Sequence, residues 1–177
     1  GLQGLHRVRD AWRSTRVRRI NTLRGLCREF GVNAPLGAKR GLATLGARLA
    51  EDDGTVPTML RVMLQQLIDE IRSLEARIAT IEVELARLAE QSPVCQRLQT
   101  IPGVGLISAT AFVGAVADIG TFRTGRRFAS WLGLTPKEHS SGQTRRLGAI
   151  SKQGDVYLRT LLIHGARSLL LAAERTR

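Results

Sequence analysis

The segment TPKEHSSGQTRRLGAISKQGD, residues 135–155, gathers the side chains of this chain best suited to phosphate chemistry. Ser140 and Ser141 precede Gly142, Arg145 and Arg146 follow, and Lys152 comes after a short apolar stretch. A serine hydroxyl is a weak nucleophile until a base takes its proton and cations neutralise the charge developing on the attacked phosphate. Arg145, Arg146 and Lys152 could meet the second need, and Gly142 permits close approach of a phosphate backbone. For the first need His139 or Glu138 is available, but no triad is visible. The residues alone favour a phosphate-binding loop over a nucleophile.

A second motif, CQRLQTIPGVGLISATAFVGAVADIG, reads as a short helix, an IPGVG turn and a second helix rich in small residues. This is a helix-hairpin-helix pattern. Gly103 and Gly105 would let the turn approach a phosphate, where free N–H groups at the start of the second helix can bind it. Such a hairpin grips a nucleic-acid backbone without reading sequence. A tight turn that binds nothing, or one that contacts protein, is the alternative. Arg123, Arg126 and Arg127 follow on a short helix whose Phe128, Trp131 and Leu132 face inward. Both tryptophans read as core residues rather than base-stacking platforms, and His164 on the last helix reads as a packing residue.

These groups must be carried by helices. Of 177 residues 43% are hydrophobic, yet only seven are aromatic, and Ala, Leu, Ile, Arg and Glu dominate. The expected fold is all-α: long helices with an antiparallel or dimeric coiled coil, then a small helical domain bearing the hairpin turn and the basic serine loop. The first helix carries Leu5, Val8, Trp12, Ile20, Leu23, Cys27 and Phe30 at helical spacing, with Gly31 as its C-cap and Pro35 beyond. Its arginines, with Arg13, Arg16, Arg18 and Arg19 as the densest group, occupy the remaining faces. From Leu60 to Leu88 apolar residues alternate spacings of four and three, with Leu64, Ile71, Ile78 and Leu85 at a and Leu60, Leu67, Leu74, Ile81 and Leu88 at d. The charged flanks favour self-association into a dimer or tetramer, and an intramolecular hairpin against the first helix is the alternative. Pro93 ends this region, dividing the chain into residues 1–92 and 93–177.

Charge narrows the partners. The net charge is +12 and the pI about 11.4, which calls for a polyanion: nucleic acid is the expected one, and an acidic membrane surface is the other to consider. Residues 1–40 hold ten basic and two acidic residues, residues 51–91 four and nine, and residues 123–159 eight and two. Basic ends flanking an acidic middle suggest nucleic acid at the ends and protein in the middle. No apolar run reaches membrane-span length, and no signal-peptide pattern opens the chain. Cys27 and Cys95 have no partner spacing for zinc, so no metal or cofactor is expected on these residues. A cytoplasmic, nucleoid-associated location follows from these expectations.

The blocks LHRVRDAWRSTRVRRINTLRGLCREFG and LQTIPGVG through ISKQGDVYLRTLLIHGA, with the heptads between them, resemble transposases of the insertion-sequence-110 family, the bridge-RNA-guided recombinases. The elements IPGVG, LGLTP, SSG and ISKQG occur in the family's order and separations. The resemblance implies a coiled coil followed by a C-terminal transposase domain, residues 93–177, whose serine attacks DNA and forms a covalent phosphoserine link. The serine before the glycine matches, which makes Ser141 the implied nucleophile and leaves Ser140 dispensable. It further implies a guide RNA and an N-terminal RuvC-like domain, expected before Gly1, whose DEDD carboxylates would hold Mg. On that reading this chain alone is inert. A non-catalytic nucleic-acid-binding and oligomerisation module, or a helical scaffold with basic ends, remain the rival readings.

Overall fold

A computed structural model describes residues 1–51, 53–116 and 118–175. They form a mostly helical protein that divides into two compact units, Leu5–Val83 and Glu84–Arg177 with Gly1–Gly4. The division falls inside a long helix, ten residues before Pro93.

The first unit is built on two long helices, α1 (Leu2–Glu29) and α3 (Thr58–Glu90), with α2 (Ala38–Ala50) between them in sequence. α1 stops where its sequence says it should. Gly31 takes φ +74°, its N–H bonds the Arg28 carbonyl at 3.0 Å, and the Val32 N–H reaches back to Cys27 at 2.9 Å. That pair of bonds satisfies the last carbonyls of the helix in a Schellman cap. Arg24 then secures the connection to α2 by donating to the carbonyls of Pro35 and Gly37 at 2.8 and 2.9 Å.

α1 and α3 are antiparallel. Arg9 pairs with Glu82 at 2.6 Å, Arg16 with Glu75, and Arg19 with Glu70 at 3.0 Å, the numbers rising along one helix as they fall along the other. Beneath these pairs Ile20, Leu23, Cys27, Leu42, Leu45, Leu49, Leu64, Ile68 and Ile71 form one buried cluster. The heptad seam expected to pair with a second copy is therefore covered, over its first half, by α1 and α2 of the same chain. Ile68 explains the difference. It sits at an e position and is fully buried, so the apolar stripe is wider than the a/d seam of a two-stranded coil and meets two neighbouring helices. Over this half the arrangement is the intramolecular one.

The second unit opens with α4 (Pro93–Gln99). Pro93 does more than stop α3: it occupies the first turn of α4, where its missing N–H costs nothing, and Ser92 Oγ accepts from the Cys95 N–H at 3.3 Å. α5 (Leu106–Ala115), a 3-10 turn (Ile119–Thr121), α6 (Gly125–Trp131) and α7 (Val156–Arg175) follow. Their core is Ala111, Phe112, Leu132 and Leu158, ringed by Leu98, Phe128, Tyr157 and Leu162. Trp131 joins Phe122 and Phe128 in an aromatic cluster with ring centroids 5.1–5.9 Å apart. Trp12 instead lies under the Arg77 guanidinium at 5.9 Å. His164, expected to be a packing residue, is exposed on α7.

Between α6 and α7 the serine segment is not a loop but a two-stranded antiparallel hairpin, β1 (Pro136–Glu138) and β2 (Leu147–Ile150). Its strands, PKE and LGAI, are too short to show a strand periodicity. Its turn is nonetheless written in Gly142, whose φ of +57° at the first central position, with no positive φ at Gln143, is the type II′ pattern that suits a two-residue hairpin.

Candidate nucleic-acid interface

The base of the hairpin is held by two glycines that nothing larger could replace. Gly133, at φ +71°, lies so close to Gln153 that a Cβ there would collide with the Gln153 carbonyl oxygen. Gly154, at φ +112°, stands equally close to the Trp131 carbonyl. Ser151 and Lys152 donate from their backbone N–H groups to Thr135 and Gly133 at 2.8 and 3.1 Å. The LGLTP and ISKQG elements are thus one interlocked structure. Lys152 sits in the left-handed region at φ +56°, a conformation that carries strain for a side chain with a Cβ. Arg159 completes the support: its side chain is buried and donates to the Leu132 carbonyl at 3.1 Å, closing the end of α6.

The register of the hairpin decides which groups can act together. Pro136 pairs with Ile150, Glu138 with Leu147 and Ser141 with Thr144, so β2 carries one extra residue between Leu147 and Ile150 as a bulge. The His139 N–H bonds the Arg146 carbonyl at 2.9 Å, and Ser141 and Thr144 exchange N–H···O bonds at 3.1 and 3.2 Å. Ser140 therefore lies opposite Arg145. Side chains alternate between faces along a strand, which puts Glu138, Ser140, Arg145 and Leu147 on one face and His139, Ser141 and Arg146 on the other.

The two serines consequently differ. Ser140 Oγ donates to Glu138 Oε1 at 2.9 Å and accepts from the Arg146 N–H at 3.1 Å, so both its functions are used inside the hairpin. The Ser141 hydroxyl is exposed and has no hydrogen-bond partner among the described residues. Arg146 and Lys152 likewise make no ion pair among the described residues, whereas Arg145 stands 3.8 Å from Glu138.

The other residues singled out in the sequence lie elsewhere. Gly103 takes φ +82° in the α4–α5 turn, but its backbone is met by α7: a Cβ at Gly103 would lie 3.0 Å from the Gly165 carbonyl oxygen. Gly105 faces open space and begins α5. Arg13, Arg16, Arg18 and Arg19 belong to the first unit. Arg16 and Arg19 are held by Glu75 and Glu70, Arg13 lines a small groove with Glu75 and Glu82, and Arg18 donates to Thr15 at 3.3 Å. α3 thus answers the charge of Arg16 and Arg19 with ion pairs.

Sequence order conceals Arg126 and Arg127 as neighbours of the serine segment. α6 and the hairpin enclose a groove of about 390 Å³ lined by Thr124, Arg126, Arg127, Ser130, Thr135, Glu138 and Arg145, among others. Only the fold-back of the hairpin onto α6 brings these arginines beside Arg145. The adjacent basic pair was visible in sequence, but not its partner.

Residues 95–177, which include the hairpin, match the family model of the Transposase IS116/IS110/IS902 family. The chain is 44% identical over 170 residues to a "Probable family 20 transposase" of Pseudomonas aeruginosa, covering 96% of this chain and 50% of that protein. It is 42% identical over 170 residues to the transposase for insertion sequence element IS1111A of Coxiella burnetii, covering 96% and 46%. The transposase for insertion sequence element IS1328 of Yersinia enterocolitica is 36% identical over 175 residues, covering 98% and 51%. The chain thus spans about half the length of these relatives. Among the described residues no helix is long and apolar enough to cross a membrane.

Proposed function

We propose that this chain is part of a DNA transposase of an insertion sequence, and that Ser141 is the nucleophile for strand cleavage and exchange. The observation that carries the reading is the contrast between the two serines: Ser140 is tied to Glu138 and Arg146, while the Ser141 hydroxyl is free at the tip of an exposed basic hairpin. In this role Ser141 Oγ attacks the phosphorus of a phosphodiester. A serine–phosphate ester forms as the bond to the leaving sugar oxygen breaks, and that oxygen takes up a proton. One phosphoester replaces another, so the step needs no oxidant, reductant or external energy source.

Arg146 shares the Ser141 face and is the cation best placed by register to neutralise the attacked phosphate. His139, on the same face, is the favoured acceptor of the serine proton over Glu138, which is engaged on the opposite face. Among the described residues no three carboxylate, imidazole or thiol groups come together to hold a metal ion. The family likeness assigns Mg to a RuvC-like domain, and no step here passes through it. A guide RNA and a cytoplasmic, nucleoid-associated location complete the proposal on the strength of the family likeness and the basic charge.

The test is trapping of covalent DNA–protein adducts by the full-length protein. Ser141→Ala should abolish the adduct while binding stays nearly intact, because the cations remain. Robust adduct formation by Ser141→Ala would move the nucleophile elsewhere. Loss of binding as severe as loss of cleavage would return Ser141 to holding a phosphate.

A further inference from the structure

We infer that the groove between α6 and the hairpin is a second phosphate site, which anchors a DNA strand by a phosphate other than the one Ser141 attacks. This rests on reading the hairpin as a DNA-contacting element.

Arg126, Arg127 and Arg145 line this groove together with one acidic residue, Glu138, and with Ser130 and Thr135. Neither Arg126 nor Arg127 has an ion-pair partner among the described residues. Two unpaired guanidinium groups on α6, joined from the hairpin by one held only loosely by Glu138, are a donor set suited to phosphate oxygens. The groove opens on the Ser140 face. Because strand alternation puts Ser141 on the opposite face, a phosphate held here cannot be the one in line with its hydroxyl.

Glu138 gives the site a specific electrostatic character. Its nearest cation, Arg145, is 3.8 Å away with both side chains well exposed, a separation at which an ion pair contributes little. An incoming phosphate would therefore displace a weak partner from Arg145. The carboxylate would oppose that phosphate while remaining bound to the Ser140 hydroxyl. Replacing Glu138 by Gln keeps an acceptor for Ser140 and removes the opposing charge, so it should tighten DNA binding. A residue with a merely structural role would not produce a gain.

DNA is favoured over RNA because the groove is formed by the same hairpin whose tip carries the proposed DNA nucleophile. The experiment is binding of this chain to a short DNA duplex of arbitrary sequence across a salt series, read by fluorescence anisotropy. Arg126→Ala with Arg127→Ala should lower the slope of log K against log salt by about two, and Arg145→Ala by about one. Glu138→Gln should raise affinity at every salt concentration. Lys39→Ala with Arg40→Ala, exposed cations of the other unit, should leave the slope unchanged. An unchanged slope in the groove variants overturns the site, as does equal flattening by the Lys39 and Arg40 variant, which would mean diffuse attraction. Groove dependence seen with RNA of the same sequence but not with DNA also overturns it. All three arginines are exposed, and circular dichroism of each variant verifies its fold. The readout is binding, so the groove can stand if Ser141 forms no adduct, and the adduct can stand if the groove fails.

Discussion

Ser140 Oγ lies 2.9 Å from Glu138 Oε1 and donates to it, while the same oxygen receives the Arg146 N–H at 3.1 Å. In a regular ladder that N–H would go to the strand opposite, so Ser140 replaces one rung of the hairpin and braces the strand that carries Arg146. Ser140→Ala should leave the adduct chemistry of the full-length protein in place and loosen the hairpin by about 0.5–1.5 kcal/mol. Hydrogen exchange at the Arg146 amide is the measurement, and exchange as slow as in the parent would remove the bracing role.

The glycines beneath the hairpin should tolerate no side chain. Gly133→Ala and Gly154→Ala each place a Cβ against a backbone carbonyl in a conformation with positive φ, so neither clash can be relieved by turning a side chain. Each should cost more than about 1 kcal/mol in urea denaturation. Gly142→Ala, with open space around it, should cost less, and equal losses at all three positions would contradict the interlock.

Ile71→Asp should unfold the first unit rather than dissociate an oligomer, because Ile71 is fully buried among residues of α1 and α2. A buried unpaired carboxylate costs on the order of several kcal/mol. Light scattering together with circular dichroism separates the outcomes. A folded Ile71→Asp protein of half the parent mass would restore the intermolecular seam.

The arginines of α1 should sort into two groups. Arg16→Ala removes a partly buried partner of Glu75 and should lower stability by about 1 kcal/mol with little effect on the salt slope of DNA binding. Arg13→Ala with Arg18→Ala should leave stability near the parent's and flatten the slope if α1 touches nucleic acid. If neither the Arg16 variant nor the Arg13 and Arg18 double variant alters the slope, α1 is a structural helix and not a nucleic-acid contact.

His6 gives the pH dependence. Burial, with Arg9 adding repulsion, lowers its pKa from 6.5 to about 4. The folded state therefore favours the neutral imidazole. The stability this brings is complete above pH 6.5 and is lost as the pH falls toward 4, amounting to about 3 kcal/mol. Carboxylates titrate in the lower part of that window, so the measurement is the difference between the parent and His6→Gln in urea denaturation at several pH values. The parent should lose stability between pH 6.5 and 4.5 faster than the variant, and parallel curves would contradict a buried neutral His6.

What the sequence by itself determined is local. The Schellman cap at Gly31, the break at Pro93, the apolar stripe from Leu60 to Leu88 and the turn at Gly142 are each set by residues a few positions apart, through backbone freedom, a missing N–H or helical period. The pairing of Ser141 with cations was legible only as a list, because a run of residues does not state which way each side chain points. Tertiary structure decided the rest. Antiparallel register put Arg146 with Ser141 and Arg145 with Ser140, and the fold-back onto α6 made Arg126 and Arg127 neighbours of a segment some ten to twenty residues away. The heptad seam shows the same limit. A stripe of Leu and Ile declares that it must be covered, but whether α1 and α2 or a second copy does so depends on packing distance and shape, and these exist only once the chain has folded.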